Sequence, residues 1–480
     1  MNEKFDVNEI LENFEKKLEV SRIKINNIFL WPHLRYLIAN SLLKSSCNNR
    51  VKTYKTNKLK NLFILLKNSF YGFANLFRKC DAIFFSTSKE RIYDGDISIS
   101  KNINEIYKNY KNPLLVEHAF DEMHFNKKKI FEKNILSLTL LDLLSRILIK
   151  TKFLKYKLSG EDVILSINNE YNLKFDITVH AEKFISDYYI FKSFLKYKKP
   201  KVLYITVWYG YGPIVKAAKD LGITTIEVQH GGFDKDHYSY NMNKIIDSSH
   251  YPEFILTYSR YYANFFNRKE LIANKIFKAK PLGSYLENKK KNFNFSRKNF
   301  EDFNYIVSMS ATINNSKMEY DLLDNLSNEL KDVLFIYLPR RENNFKKKRN
   351  LKVAKKFTAV NYLPISDLHI TIRSTTIYEA AFFGKKTLIY TPFIETKKFI
   401  ETLKNELNNY PSLYRFIEKD DDLVSIIKKE LHTKKIDFSE INKQDLYETG
   451  YKKNIRNFVN ELENKLEGTD NVGKKIKKNL

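Results

Sequence analysis

The sequence is poor in cysteine, glycine and proline. Of 480 residues, 2 are Cys, 13 are Gly and 10 are Pro. Cys47 and Cys80 build neither a disulfide framework nor a metal cluster, and so few thiols fit a reducing compartment. No His/Cys/Asp grouping has metal-ligand spacing, so no catalytic metal is expected. No uninterrupted apolar run reaches the roughly 20 residues that a spanning helix needs. The opening stretch MNEKFDVNEILENFEKKLEV is polar and acidic at its start, unlike a secretory signal. No short-period repeat is present.

What is present is a globular and strongly basic chain. Hydrophobic residues make up 43% and aromatics 14%, enough to build cores, so global disorder is excluded. The length exceeds one ordinary core and points to two domains. The net charge of +27 attracts anions such as phosphate-bearing ligands, acidic lipid or nucleic acid. Part of it reflects a general enrichment in Lys, Asn, Ile, Phe and Tyr. No nucleic-acid-binding motif occurs, so nucleic acid is not an expected partner.

Residues 1–80 read as an N-terminal helical segment. Residues 1–19 form an amphipathic helix, and IFLWPHLRYLIANSLL (Ile28–Leu43) a second with Pro32 in its first turn. Lys52–Lys79 carries Leu59, Leu62, Phe63, Leu66, Phe70, Phe73 and Phe77 at helical steps, with Lys and Arg between them. Two readings fit this stretch: a helix lying on an anionic membrane, or a docked surface helix with snorkelling lysines.

From Asp81 the pattern changes to alternating strands and helices. DAIFFST, PLLVEHA and FILTYS read as strands, and PKVLYITVWYGYGPIVKAAKDLGITTIEVQHGG as strand, loop, helix and strand, with Gly222 as the helix stop. This predicts a Rossmann-like domain over 81–285. A linker follows over 286–302, within the Asn- and Lys-rich stretch Lys278–Asp302. A second Rossmann-like domain spans 303–435, and a C-terminal helix with a basic tail covers 436–480. The fold class expected is α/β, with two parallel sheets enclosing an interdomain cleft.

Ligands of such sheets bind at the carboxyl ends of strands. In VQHGG, His230 leaves a strand followed by Gly231 and Gly232, with Gln229 before it. A histidine so placed can accept a hydroxyl proton near neutral pH, or it can sit in a structural turn. His237 and His250 read as surface residues. In RSTTIYEAAFFGKK, Ser374, Thr375 and Thr376 lead into a helix whose amides favour phosphate, and Glu379 can accept from ribose hydroxyls; ordinary capping explains the same residues. Arg340 in YLPRRENN offers a fork suited to a diphosphate. Ser308 in SMSAT is a hydroxyl near a strand end. Tyr209 and Tyr211 in VWYGYGP suit either stacking on a sugar or core packing.

The strand ending EVQHG, the PLGS turn and ITIRSTTIYEAAFFGKKTLIY together resemble GT-B glycosyltransferases of bacterial surface-polysaccharide assembly, the capsule, lipopolysaccharide and teichoic-acid enzymes. The likeness spans Lys201–Pro392, and WPHLRY is similar to capsule-type members. The resemblance implies a glycan or lipid-linked acceptor bound by the first domain. It implies a nucleotide-sugar donor bound by the second, as substrate and without metal or other cofactor. His230-Gly231 resembles a catalytic candidate of the CDP-glycerol polymerase branch, and Ser374–Thr376 the donor-phosphate strand end. Leu338 stands where several members have histidine before Pro-Arg, a departure from CMP-sialic acid and CDP-polyol enzymes. The expected protein is a glycosyltransferase of the cytoplasm or the inner membrane face. The competing expectations are a CDP-polyol phosphotransferase, a non-hydrolysing sugar-nucleotide epimerase, and a basic membrane-surface scaffold without catalysis.

Overall fold

A computed structural model describes residues 7–46, 58–94, 96–120, 124–232, 237–242, 244–267, 275–289, 297–311, 316–339, 345–346, 348–354, 359–372, 374–391, 412–433 and 447–478. The chain divides into two units, Met1–Leu282 with Lys452–Leu480, and Gly283–Tyr451.

The first unit is built on a parallel seven-stranded sheet. Its strands are β1 (Ala82–Thr87), β2 (Pro113–His118), β3 (Ile135–Ser137), β4 (Val202–Ile205), β5 (Thr224–Val228), β6 (Phe254–Thr257) and β7 (Lys278–Pro281), in the order β7-β6-β5-β4-β1-β2-β3. β1, β2, β4 and β6 are largely buried and mostly apolar because both faces of a parallel sheet are covered. The order reverses between β1 and β4, where Phe85 pairs with Ile205. That is the topological switch point of a Rossmann-like sheet.

The second unit repeats this plan with six parallel strands. They are β8 (Tyr305–Ser310), β9 (Val333–Leu338), β10 (Leu351–Val353), β11 (Leu368–Thr371), β12 (Lys386–Thr391) and β13 (Tyr414–Glu418), in the order β10-β9-β8-β11-β12-β13. Its switch point lies between β8 and β11. Two Rossmann-like units in tandem are thus set by strand order.

Three expected boundaries move. The helices α1 (Val7–Lys17), α2 (Trp31–Ser46) and α3 (Lys58–Ser69) belong to the first unit rather than to a separate segment. Lys278–Pro281, at the start of the Asn- and Lys-rich stretch, pairs with β6 as the edge strand, and the boundary falls at Leu282–Gly283, shortly before the expected linker. The C-terminal helix Tyr451–Lys478 runs on into the basic tail expected within 436–480, and from Lys452 it rejoins the first unit. There Phe458 packs edge-on against Phe254, and the Asn454 side chain donates to the Leu282 carbonyl at 3.2 Å.

The basic stretch before β1 is also not one helix. α3 ends at Ser69, and a 3-10 turn follows at Phe73–Leu76. Gly72 makes the break: it has φ +77°, and a Cβ there would lie 1.9 Å from the Ile135 carbonyl oxygen. Gly72→Ala is therefore expected to lower unfolding stability by about 2 kcal/mol, from the left-handed strain alone. Urea unfolding checks it, and an unchanged midpoint would show that this close approach does not exist. No helix among the described residues is long and apolar enough to cross a membrane.

Candidate active site

β5 reads TTIEV, a β-branched strand that carries one acid into the sheet. Glu227 is fully buried, and burial pushes its carboxyl up to about 8. Its Oε1 accepts from the Tyr240 hydroxyl at 2.7 Å and from the Trp208 amide at 3.2 Å. One carboxyl thus ties the loop after β4 to the turn at Tyr240. The N-terminal helices brace that turn from outside. Arg35 of α2 pairs with Glu15 of α1 at 2.7 Å and donates to the carbonyls of Tyr238 and, at 2.7 Å, Asn241. Trp31 donates to the same Glu15 at 2.9 Å. WPHLRY is therefore a buttress.

His230 leaves the carboxyl end of β5 on this braced frame. The residue is partly exposed, but its Nδ1 is buried and has no hydrogen-bond partner among the described residues. Desolvation lowers its pKa below the ordinary 6.5, against the attraction of Glu90. Lys101 and Lys89 push the same way as burial, and the Thr206 backbone supports the ring. The result is a neutral imidazole at pH 7. Glu90 follows β1, held by Asn102 at 3.1 Å and Ser86 at 3.4 Å. The sequence reading passed over both Glu90 and Glu227. Glu90 was detectable only as an acid shortly after a predicted strand, and Glu227 as an acid within one.

The neighbours expected to line an acceptor site take varied places. Gln229 is fully buried with both ends of its amide engaged: Nε2 donates to the Gly231 carbonyl at 2.7 Å, and Oε1 accepts from the Tyr258 amide at 2.7 Å. It shapes the turn that carries Gly231 and Gly232, which are partly exposed. Tyr209 is partly exposed in an aromatic cluster with Tyr36 at 4.6 Å and His237 at 5.5 Å between ring centroids. Tyr211 is partly exposed and packs on Phe85 at 5.8 Å. His250 is not a surface residue, and His237 is only partly exposed. His237 packs on Tyr240 at 4.9 Å, His250 is 1% exposed, and burial lowers each to about 4.

In the second unit the strand ends near the switch point are organised by a histidine that sequence reading missed. His369 on β11 lies opposite Ser308 in the β8 register. Its Nδ1 bonds Ser308 Oγ at 3.0 Å, and its Nε2 faces Thr376 Oγ1 at 3.0 Å and Ser310 Oγ at 3.2 Å. Burial pushes the ring down to about 3, so it is neutral and shares hydrogen bonds with hydroxyls. Ser308 is wholly buried in this network, a placement for supporting the strand ends rather than touching a ligand. No local pattern shows this, because the pairing depends on register. Ser374 accepts from the Thr376 amide at 3.3 Å at the start of the helix Thr376–Phe382, and Thr375 is exposed. Glu379 accepts from the Tyr285 hydroxyl at 3.1 Å. Arg340 lies outside the described residues. Among the described residues no group of three or more His, Cys, Asp or Glu could hold a metal ion.

No family model matches the sequence, and no curated protein matches it. Several solved structures are similar in chain course. The S. aureus MnaA–UDP co-structure is 13% identical, with 81% of this chain and 97% of that chain covered and a TM-score of 0.49. The Methanocaldococcus jannaschii UDP-GlcNAc 2-epimerase with UDP-GlcNAc and UDP is 11% identical, covering 79% and 99%, with a TM-score of 0.47. The wall teichoic acid polymerase TagF with CDPG is 12% identical, covering 87% and 99%, with a TM-score of 0.43. The fold assignment rests on the strand order described above.

Proposed function

We propose that this protein is a metal-independent glycosyltransferase that moves a sugar from a nucleotide-sugar donor to a hydroxyl of a surface-glycan acceptor. One observation carries the reading: His230 stands neutral at the carboxyl end of β5, with Nδ1 unengaged among the described residues and Glu90 nearby to stabilise the imidazolium. In the proposed step the acceptor oxygen attacks the anomeric carbon while His230 takes its proton. The bond from that carbon to the donor phosphate oxygen breaks, and the nucleotide leaves with the electron pair. Arg340, Ser374, Thr375 and Thr376 are the groups proposed to receive that charge, with Glu379 toward the ribose. Gln229 and His369 act as positioning residues, one for each strand end.

The test has two stages. A thermal-shift screen against UDP-, GDP-, CDP-, CMP- and dTDP-linked sugars identifies the donor. Chromatography of the reaction with that donor and acceptor glycans then shows free nucleotide and an extended acceptor. Recovery of an epimerised nucleotide sugar, with no transfer, would overturn the reading in favour of an epimerase. Release of the nucleoside monophosphate with a phosphodiester product would favour a phosphotransferase.

A further inference from the structure

The segment from α3 to Lys79 exposes an unusual amount of aromatic surface. Phe63 is 69%, Phe70 65% and Phe77 64% exposed, with Leu66 and Phe73 also open to solvent. Phe70, Phe73 and Phe77 form a ladder, with ring centroids 5.8 and 5.7 Å apart. The backbone beneath is firmly held. Gly72 sits against the Ile135 carbonyl, and the Asn75 side chain donates to that carbonyl at 2.8 Å. The Lys198 ammonium donates to the carbonyls of Asn75 at 2.7 Å and Arg78 at 2.5 Å. A fold that fixes this backbone from within while leaving its phenyl rings in water has a use for the rings outside.

Charge identifies the partner. From Val20 to Cys80 the chain has no Asp or Glu and 12 Lys and Arg. Lys67, Arg78 and Lys79 are exposed along the ladder. Lys127, first of three exposed lysines, lies 4.8 Å over the ring of Tyr71, which sits between Phe70 and Phe73 in sequence. α4 (Leu138–Lys150) packs on α3 and adds exposed Leu144 and Ile147. From Leu143 to Gly160 there is again no Asp or Glu.

We propose that this face docks on an anionic lipid bilayer, with the phenyl rings at headgroup depth and the cations on lipid phosphates. Aromatics interleaved with lysines suit a bilayer interface. Protein–protein interface cores are instead depleted in lysine. The proposal is independent of the transfer reaction, so either can fail alone.

Flotation of the full chain with vesicles tests it, using phosphatidylcholine alone and phosphatidylcholine mixed with phosphatidylglycerol. The wild type floats with the mixed vesicles and not with pure phosphatidylcholine, and raised salt weakens binding. The Phe70→Ser/Phe73→Ser/Phe77→Ser variant loses about tenfold in vesicle affinity, as does Lys67→Glu/Lys79→Glu. Both keep the wild-type circular dichroism spectrum, because every replaced side chain is exposed. Equal binding to both vesicle types, no binding, or unchanged binding by the phenylalanine variant would each overturn the proposal. So would a wild-type dimer in sedimentation that the serine variant abolishes without any vesicle binding, since a second copy would then be the partner.

Discussion

His230→Ala lowers the turnover of sugar transfer by about 10³-fold, the usual worth of a positioned general base. The loss falls on turnover and leaves the donor-induced thermal shift intact, because the histidine acts on the acceptor hydroxyl. The pH profile supplies a second readout. A base works unprotonated, and burial lowers the pKa of His230 below 6.5. Activity therefore stays level through pH 7 and falls only as acid protonates the ring below that ordinary value. Glu90→Gln removes the nearby carboxylate that favours the imidazolium, which moves the acid limb further toward low pH and slows the step. Full activity of His230→Ala with the correct donor and acceptor would remove the histidine from the mechanism.

Arg91→Met costs about 3–5 kcal/mol of unfolding stability, the largest structural effect expected in the first unit. The Arg91 guanidinium is 0% exposed, as is the Glu132 side chain, and that of Glu117 is 1% exposed. Arg91 pairs with Glu117 and, at 2.8 Å, with Glu132. Glu132 also accepts from the Ser100 amide at 3.0 Å, and Glu117 faces His124 at 3.1 Å. Removing the guanidinium strands two carboxylates out of water with no cation between them. Urea unfolding reads the loss. Adding Glu117→Gln and Glu132→Gln to Arg91→Met returns most of it, because the stranded charges are gone. A single variant within about 1 kcal/mol of wild type would mean that water reaches the cluster.

The sequence shows this site unevenly. His230 was legible because it follows a β-branched run and precedes two glycines, a purely local signature. Ser374–Thr376 was legible for the same reason, at the entry to a helix. Glu227, Glu90 and His369 were not. Glu227 is one acid in a strand, and its importance comes from Trp208 and Tyr240, which bind it from other elements. His369 reads as an ordinary strand residue until the register sets it opposite Ser308. His250 was misread as a surface residue because a polar turn and a buried ring look alike in one dimension. Lys278–Pro281 does not stand out as a strand in the sequence, because an edge strand with alternate residues in water has a loop-like composition.

Local interactions are written along the chain, and so the sequence alone determined the alternation of strand and helix, the helix stop at Gly222 and the basic, aromatic character before β1. Backbone preference, hydrophobic periodicity and charge need only near neighbours in sequence. The tertiary structure decided the reversal of strand order at β1–β4 and at β8–β11, the break at Gly72 and the networks behind His230 and Thr376. Each depends on residues far apart in sequence meeting across a sheet. Which strands become neighbours is settled by the summed burial of the whole unit, and no single segment encodes it.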